Sequence, residues 1–290
     1  MDEEEPDIEW LIEDYLEKRT LTVLWAPKDH FKSFVVIDWA MHIASGKAWC
    51  GHAVDGGLVV YIAGEGHSGM NRRFRAWAIW HKVNIANLPL VRSRLPMQVL
   101  DLECVANWQR HIETVSKFYN MPPKPVVIDT LATNFGHGDE NSPTDVSRFA
   151  ATLKIYLGVH FETSVLVVHH AGKKLENGPR GGSSLTGDAD NVYRIEHVKD
   201  VDRPPPVAMK SRIVTLREET EDQPAITSLV MDVLANKRQQ RILDLKRAGN
   251  PERIIAMKLG IGKGTVSREI ERLRNLGLLK DDRQEPEDPA

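Results

Sequence analysis

Four short apolar runs limit what this chain can fold into: Leu21–Trp25 (LTVLW), Leu58–Ala63 (LVVYIA), Pro125–Asp129 (PVVID) and Ser164–His169 (SVLVVH). None alternates apolar with polar residues, as a strand with one wet face does. Each reads as a strand covered on both faces. Helical spacing fills the gaps between them. Phe34, Ile37, Ala40, Met41 and Ala44 share one helix face, and further helices are expected at about Ser68–Lys82, Glu103–Tyr119 and Ser142–Leu157. Strands alternating with helices predict an α/β fold, a mostly parallel sheet with helices on both faces. Three later runs, Val192–His197, Val207–Val214 and Ala225–Val230, are expected to extend the sheet as hairpins at its edge. Asp7–Leu16 is expected to form an amphipathic lead-in helix.

The first strand opens into the loop Ala26-Pro27-Lys28-Asp29-His30-Phe31-Lys32-Ser33. A strand, a loop ending in Lys-Ser and a helix outline a phosphate-binding loop, usually G-x-x-x-x-G-K-[ST]. In such a loop backbone N–H groups and the helix N-terminus face the phosphates. The lysine, here Lys32, neutralises charge, and the hydroxyl, here Ser33, holds Mg²⁺. Ala26 and Phe31 stand where the two glycines belong. Glycine tolerates positive φ and close approach of the backbone to a ligand, which phenylalanine resists. An ordinary βα turn is therefore the competing reading.

Three further positions fall at strand ends. Asp129 closes the third run, where a Walker B aspartate would hold Mg²⁺ and where a solvated strand cap would look the same. Glu65, between Gly64 and Gly66, follows the second run. Open α/β sheets bind ligands at that edge, and a carboxylate there can deprotonate an attacking water or serve only as a turn residue. His169 and His170 end the fourth run. A histidine there can sense a γ-phosphate or belong to the core, and no further zinc ligands stand at suitable spacing around the pair. Lys210 and Arg212 are two apart in a late strand, which places both cations on one face. That suits a finger reaching across a subunit interface or a charged, protected sheet edge.

The region 236–280 differs from the rest. Helices are expected at Lys237–Arg247, Pro251–Lys258 and about Lys263–Leu276, with Asn250 as a cap, a tight turn at Leu259-Gly260-Ile261, and Gly277 as terminator. This pattern is a helix-turn-helix. Its surplus of Lys and Arg contrasts with a whole-chain net charge of −3 and marks a phosphate-binding face. Lys263, Thr265, Ser267 and Arg268, early in the third helix, would meet DNA. A protein-docking three-helix module is the alternative. Its core is expected from Ile242, Leu245, Ile254, Ile255, Leu259, Val266, Ile270, Leu273 and Leu276.

With 290 residues, 41% apolar and 27% charged, the chain can hold one large core and a small second domain. The expected layout is an acidic lead-in segment (1–20), the α/β core (21–233), the helical domain (236–280) and a disordered acidic tail (281–290). Cys50 and Cys104 show no metal spacing and no disulfide framework, which fits a reducing cytoplasm. No signal peptide and no membrane-spanning run is expected.

These residues together resemble the RecA-like AAA_25 ATPases, the group that includes RepA-type replicative helicases of plasmids and phages. The resemblance covers roughly Asp7 to Val233. It rests chiefly on Val126–Asn141 (VVIDTLATNFGHGDEN), with Val165–Lys173 (VLVVHHAGK) and Arg180–Asp190 (RGGSSLTGDAD) in the same order and spacing. The resemblance implies ATP and Mg²⁺ as ligands and the loop 26–33 as the nucleotide cradle. Lys32 and Ser33 become the P-loop pair, Asp129 the Walker B acid, Glu65 the catalytic base, and His170 the sensor. Lys210 and Arg212 become a trans-acting finger. Sites shared between subunits imply a ring hexamer or filament, with DNA and other replication proteins as partners, and no membrane. Pro27-Lys28 matches a Pro-Lys pair common early in this loop. Loss of both glycines argues against fast turnover but not against the fold. The implied function is an ATP-dependent DNA-acting motor of helicase type. The alternative is a nucleotide-switched DNA-binding regulator or helicase-loading adaptor. The small domain is expected to be a winged helix-turn-helix.

Overall fold

The computed structural model describes residues 8–64, 66–172, 178–179, 184–195, 208–216, 226–234, 237–275 and 279. Its strands are β1 (Trp10–Ile12), β2 (Leu16–Glu17), β3 (Leu21–Ala26), β4 (Leu58–Ala63), β5 (Leu90–Arg92), β6 (Pro123–Asp129), β7 (Ser164–His170), β8 (Asn191–Arg194), β9 (Ala208–Leu216) and β10 (Ile226–Leu234). Its helices are α1 (Lys32–Ser45), α2 (His67–Trp80), α3 (Leu102–Tyr119), α4 (Leu131–Asn134), α5 (Pro143–Leu153), α6 (Ser184–Asp188), α7 (Lys237–Arg247), α8 (Glu252–Leu259) and α9 (Lys263–Asn275). They divide into two compact units, one holding most of residues 1–231 and the other built mainly from residues 232–290.

The larger unit is a six-stranded sheet in the order β5-β4-β6-β7-β3-β8, and every pairing in it is parallel. The four runs singled out by their lack of alternation are its four central strands, and β3 and β4 are buried at every residue. Successive residues of a strand face opposite sides. Leu21, Val23, Val60, Ile62, Val126, Ile128, Val165 and Val167 therefore share one face. There they join Val105 and Ile112 of α3 and Val146, Phe149 and Leu153 of α5 in a single cluster. On the other face α1 packs over β3, β4, β6 and β7 and beside α2. Wide π-type turns at Lys154–Val159 carry α5 on towards β7.

Where the middle and later turns of α1 meet the end of α2 the packing is polar. Asp38 and His42 of α1 are buried, and the Trp77 indole N–H donates to Asp38 Oδ1 at 2.7 Å. Trp77 stacks on His81 with ring centroids 4.0 Å apart. Burial, then the neighbouring His42 and Lys47, pulls the His81 imidazole down to about 3.

The N-terminal segment and the late strands differ from expectation. Asp7–Leu16 is not a helix: its described part forms the antiparallel pair β1–β2. Asp14 takes a left-handed conformation (φ 65) and the Tyr15 N–H donates to Ile12 O at 2.9 Å, turning the chain back. So short a segment gains little as a helix, while Trp10, Ile12 and Tyr15 suit a pleated surface. The late strands also do not extend the sheet as hairpins. β8 enters parallel to β3, its start pinned by Asp190, whose carboxylate accepts from the Leu21 N–H at 2.6 Å. β9 and β10 pair with each other in a separate two-stranded sheet.

The second unit has its own core, drawn from α7, α8 and α9: Ile242, Leu243, Ile255, Ala256, Val266, Ile270 and Leu273, with Leu245, Leu259, Ile261 and Leu279 partly buried against it. Gly260 ends α8 in the left-handed conformation (φ 63) expected of that turn. Asn250 does not cap α8. Pro251 stands at that position, and Asn250 bonds instead to Leu245 O and to Lys258 Nζ. Leu276, Gly277 and any wing lie outside the described residues.

Candidate active site

The sheet delivers Ala26, Ala63, Asp129 and His170 to one edge, because β3, β4, β6 and β7 are parallel and end in register (Ala63↔Asp129, Ala26↔His170). Between Ala26 and α1 the loop takes two left-handed residues, Asp29 (φ 63) and Phe31 (φ 57, ψ 19). Phe31 thus adopts the turn that the missing glycine would make, at a cost of roughly 1–2 kcal/mol for an L-residue. Its ring leaves the loop to meet Phe34 edge-on, with centroids 6.1 Å apart, and Arg73 lies over the Phe34 ring at 4.4 Å. The Phe31 carbonyl accepts from the N–H groups of Phe34 and Val35 at 3.0 and 3.1 Å, starting the helix. No side chain caps α1 and no acid of its own stands in its first turn; the anion that its N-terminal dipole favours is the Asp129 carboxylate, met through Ser33.

Lys32 is buried, and its ammonium donates to the carbonyls of Ala26 (3.1 Å) and Pro27 (2.8 Å) across the base of the loop. Lys28 and Asp29 are exposed, and His30 Nδ1 lies 2.9 Å from Lys28 O. The Ser33 hydroxyl donates to Asp129 Oδ1 at 3.4 Å. These two groups, 96 positions apart in the chain, offer the hard oxygens that Mg²⁺ takes. A loop with a left-handed residue where the glycine pattern has glycine, a helix N-terminus, a buried lysine and an oxygen pair fit a magnesium-bound nucleotide.

The other carboxylate oxygen of Asp129 is held by a residue that sequence reasoning missed. Tyr61 O–H donates to Asp129 Oδ2 at 2.6 Å, and the tyrosine is fully buried. Burial, then the Asp129 charge and this hydrogen bond, pushes the Tyr61 hydroxyl well above its ordinary value of 10.0. Within LVVYIA it passes for core. The available signal was the period of two, which puts Tyr61 on the same face as the strand's last residue. Beyond Asp129, Asn134 fixes the following turn, its side chain reaching Thr130 O and accepting from the Met97 N–H at 2.7 Å.

The histidines separate by the same alternation. His170 shares a strand face with Val168, which pairs with Asp129, whereas His169 points to the opposite side and is buried. Glu65 lies outside the described residues. Its neighbour Gly64 allows a close approach, since a Cβ there would meet Thr133 Oγ1 at 2.0 Å. Lys210 and Arg212 are on β9, two positions apart. In the second unit Lys263 and Arg268 are exposed and Thr265 is half-buried. The Ser267 hydroxyl donates to Glu252 at 2.5 Å, tying α9 to α8.

A family model described as AAA_25, an AAA domain, matches residues 1–176. The chain belongs to the AAA_25 family. A search of the curated proteins found no match. Among solved structures, an isolated ATPase domain aligns with this AAA_25 chain at a TM-score of 0.50 and 13% identity, covering 73% of this chain and 81% of that one. A DnaB-like replicative helicase, solved with its interactions with primase, aligns at 0.50 and 14% identity over 74% of this chain. This chain spans about half of that helicase's length, 55%. At such identities the likeness is one of fold, and the fold is the RecA-like mostly parallel sheet.

Proposed function

We propose that this AAA_25 protein is an ATP-dependent DNA-acting motor, of replicative-helicase type, from a plasmid, phage or other mobile element. One observation carries the reading: Ser33, beside the buried Lys32 at the start of α1 and just after the left-handed Phe31, meets Asp129 at the carboxyl edge of the sheet. In this reading Lys32 and the loop 26–33 hold the triphosphate, while Ser33 and Asp129 hold Mg²⁺. Bound Mg²⁺-ATP supplies the phosphoryl group to be transferred to water. Glu65 accepts the proton of that water, His170 senses the γ-phosphate, and Lys210 and Arg212 of a neighbouring copy reach its charge. Catalysis between copies calls for a ring or filament. The three-helix unit supplies duplex contacts through Lys263, Thr265, Ser267 and Arg268 as a helix-turn-helix. Other replication proteins are its expected partners.

The test is unwinding of a forked duplex with Mg²⁺-ATP by the wild type and by Lys32→Ala, alongside calorimetry with a non-hydrolysable analogue. Unwinding lost with nucleotide binding in the variant supports the motor. Equal nucleotide affinity in both proteins rejects the phosphate-loop reading. Phe31 favours a second reading, a nucleotide-switched DNA-binding regulator or loading adaptor, since a strained loop suits binding more than rapid turnover. Such a protein binds nucleotide and DNA and unwinds nothing.

A further inference from the structure

A second cluster of polar groups lies within the larger unit, where the middle and later turns of α1 meet the end of α2. Asp38 and His42 stand one helical turn apart on α1, and both are buried. His81 follows the last residue of α2 as its cap. One carboxylate oxygen of Asp38 and one ring nitrogen from each histidine lie within 4.8 Å of one another. Asp38 Oδ1 and His42 Nε2 are 3.6 Å apart. Zinc bonds to N and O of about 2.0–2.2 Å imply tetrahedral ligand spacings of about 3.3–3.5 Å, so this pair needs only a small contraction.

The surroundings orient these atoms. His42 Nδ1 is 3.1 Å from Lys47 O. A carbonyl can only accept, so Nδ1 carries a proton, and in the neutral ring Nε2 turns its lone pair towards Asp38. A backbone carbonyl on the remote nitrogen is the usual outer partner of a metal-bound histidine. Asp38 Oδ1 is held by the Trp77 indole N–H at 2.7 Å. The same indole stacks on His81 at 4.0 Å and meets His42 edge-on at 5.0 Å, fixing both rings. His81 Nε2 is buried and has no hydrogen-bond partner. A buried polar atom left so costs roughly 1–3 kcal/mol and calls for an explanation.

We propose that Asp38, His42 and His81 form a binding site for a divalent transition-metal ion, with zinc as the ion their ligand types and spacing fit. Three protein ligands leave the fourth position to water. The ion clips the middle and later turns of α1 to the end of α2, the two helices whose first residues carry Lys32 and Ser33 and follow Glu65, and so holds the relative setting of both sides of the nucleotide site. The competing arrangement is a protonated His42 paired with Asp38, which needs no metal. The Lys47 ammonium, bonded to His81 O at 2.9 Å, adds a nearby cation that works against the ion.

The full chain, stripped with chelator and freed of it, is titrated with zinc by calorimetry and with cobalt(II) by visible absorption. One equivalent of zinc bound with a Kd of about 1 μM or tighter is expected, together with the intense visible bands of tetrahedral cobalt. At zinc a hundredfold above Kd, Tm should rise by roughly 5–10 °C. His81→Gln should weaken zinc at least a hundredfold and abolish those bands. If His81→Gln proves unfolded by circular dichroism, Asp38→Asn replaces it. Less than one equivalent bound by the wild type overturns the proposal without either variant. So does a folded His81→Gln or Asp38→Asn protein that binds zinc as the wild type does.

Discussion

Tyr61→Phe removes one oxygen from a fully buried residue and changes nothing else in volume. The lost group is the donor on Asp129 Oδ2 at 2.6 Å, while Ser33 stays on the other oxygen. A hydrogen bond to a charged group contributes about 1.5–3 kcal/mol net. For a unit of this size each kcal/mol shifts Tm by about 2–4 °C, so a fall of about 3–12 °C is expected near neutral pH. The sign of the pH dependence is fixed by Tyr61 itself. Its hydroxyl is held well above 10.0 in the folded state, by burial first and then by Asp129. Above pH 10 the unfolded chain loses this proton while the native chain keeps it. The native stability tied to Tyr61 is therefore complete below pH 10 and falls above it by about 1.4 kcal/mol per pH unit. Phenylalanine has no such proton, so the gap between the two proteins must narrow as pH rises past 10. Thermal melts of both proteins at pH 8 and at pH 11 measure the gap directly. A Tm change below about 1 °C at pH 8, or a gap that does not narrow, refutes the assigned hydrogen bond.

Phe31→Gly should release about 1–2 kcal/mol of left-handed strain in the loop and raise ATP turnover; a lower turnover would mean the Phe31–Phe34 contact holds the loop in its working shape. Glu65→Gln should keep ATP affinity and lose turnover, and mixing it with Arg212→Ala should restore part of the activity at hybrid interfaces. No recovery in a demonstrably mixed oligomer would remove the trans finger. Lys263→Ala in the full chain should weaken duplex binding at low salt and lower the log–log salt slope by about one unit, whereas an unchanged slope in a fluorescence-anisotropy titration would take Lys263 off the phosphates.

The central sheet was legible because its signal is local and repeated: strands buried on two faces cannot carry polar alternation, and Leu21–Ala26, Leu58–Ala63, Pro123–Asp129 and Ser164–His170 show almost none. The same holds for α7 to α9, where Gly260 and the spacing of Ile242, Ile255, Val266 and Leu273 mark turn and core. The N-terminal pair failed because Leu11, Ile12 and Leu16 satisfy both helical and strand periods over so few residues, and the decision rests on Asp14 turning left-handed. At the site, Lys32 and Ser33 at the start of α1 and Asp129 at the end of β6 could be read one by one, but the meeting of Ser33 with Asp129 could not. Ser33 and Asp129 touch because β4, β6, β7 and β3 lie in that order, a fact of crossover topology that no window of sequence contains. Tyr61 and the Asp38–His42–His81 cluster share that blindness in a stronger form. Each member is ordinary in its own segment, and its chemistry comes from a partner on another element. Phe31 shows the converse. Its side chain argued against the phosphate loop, yet its backbone takes the glycine's conformation, since the turn between β3 and α1 is dictated by packing of α1 on the sheet and the local cost of about 1–2 kcal/mol is small beside that burial. A residue pattern thus constrains the backbone less than the fold does wherever the strained position is single and the flanking elements are both buried.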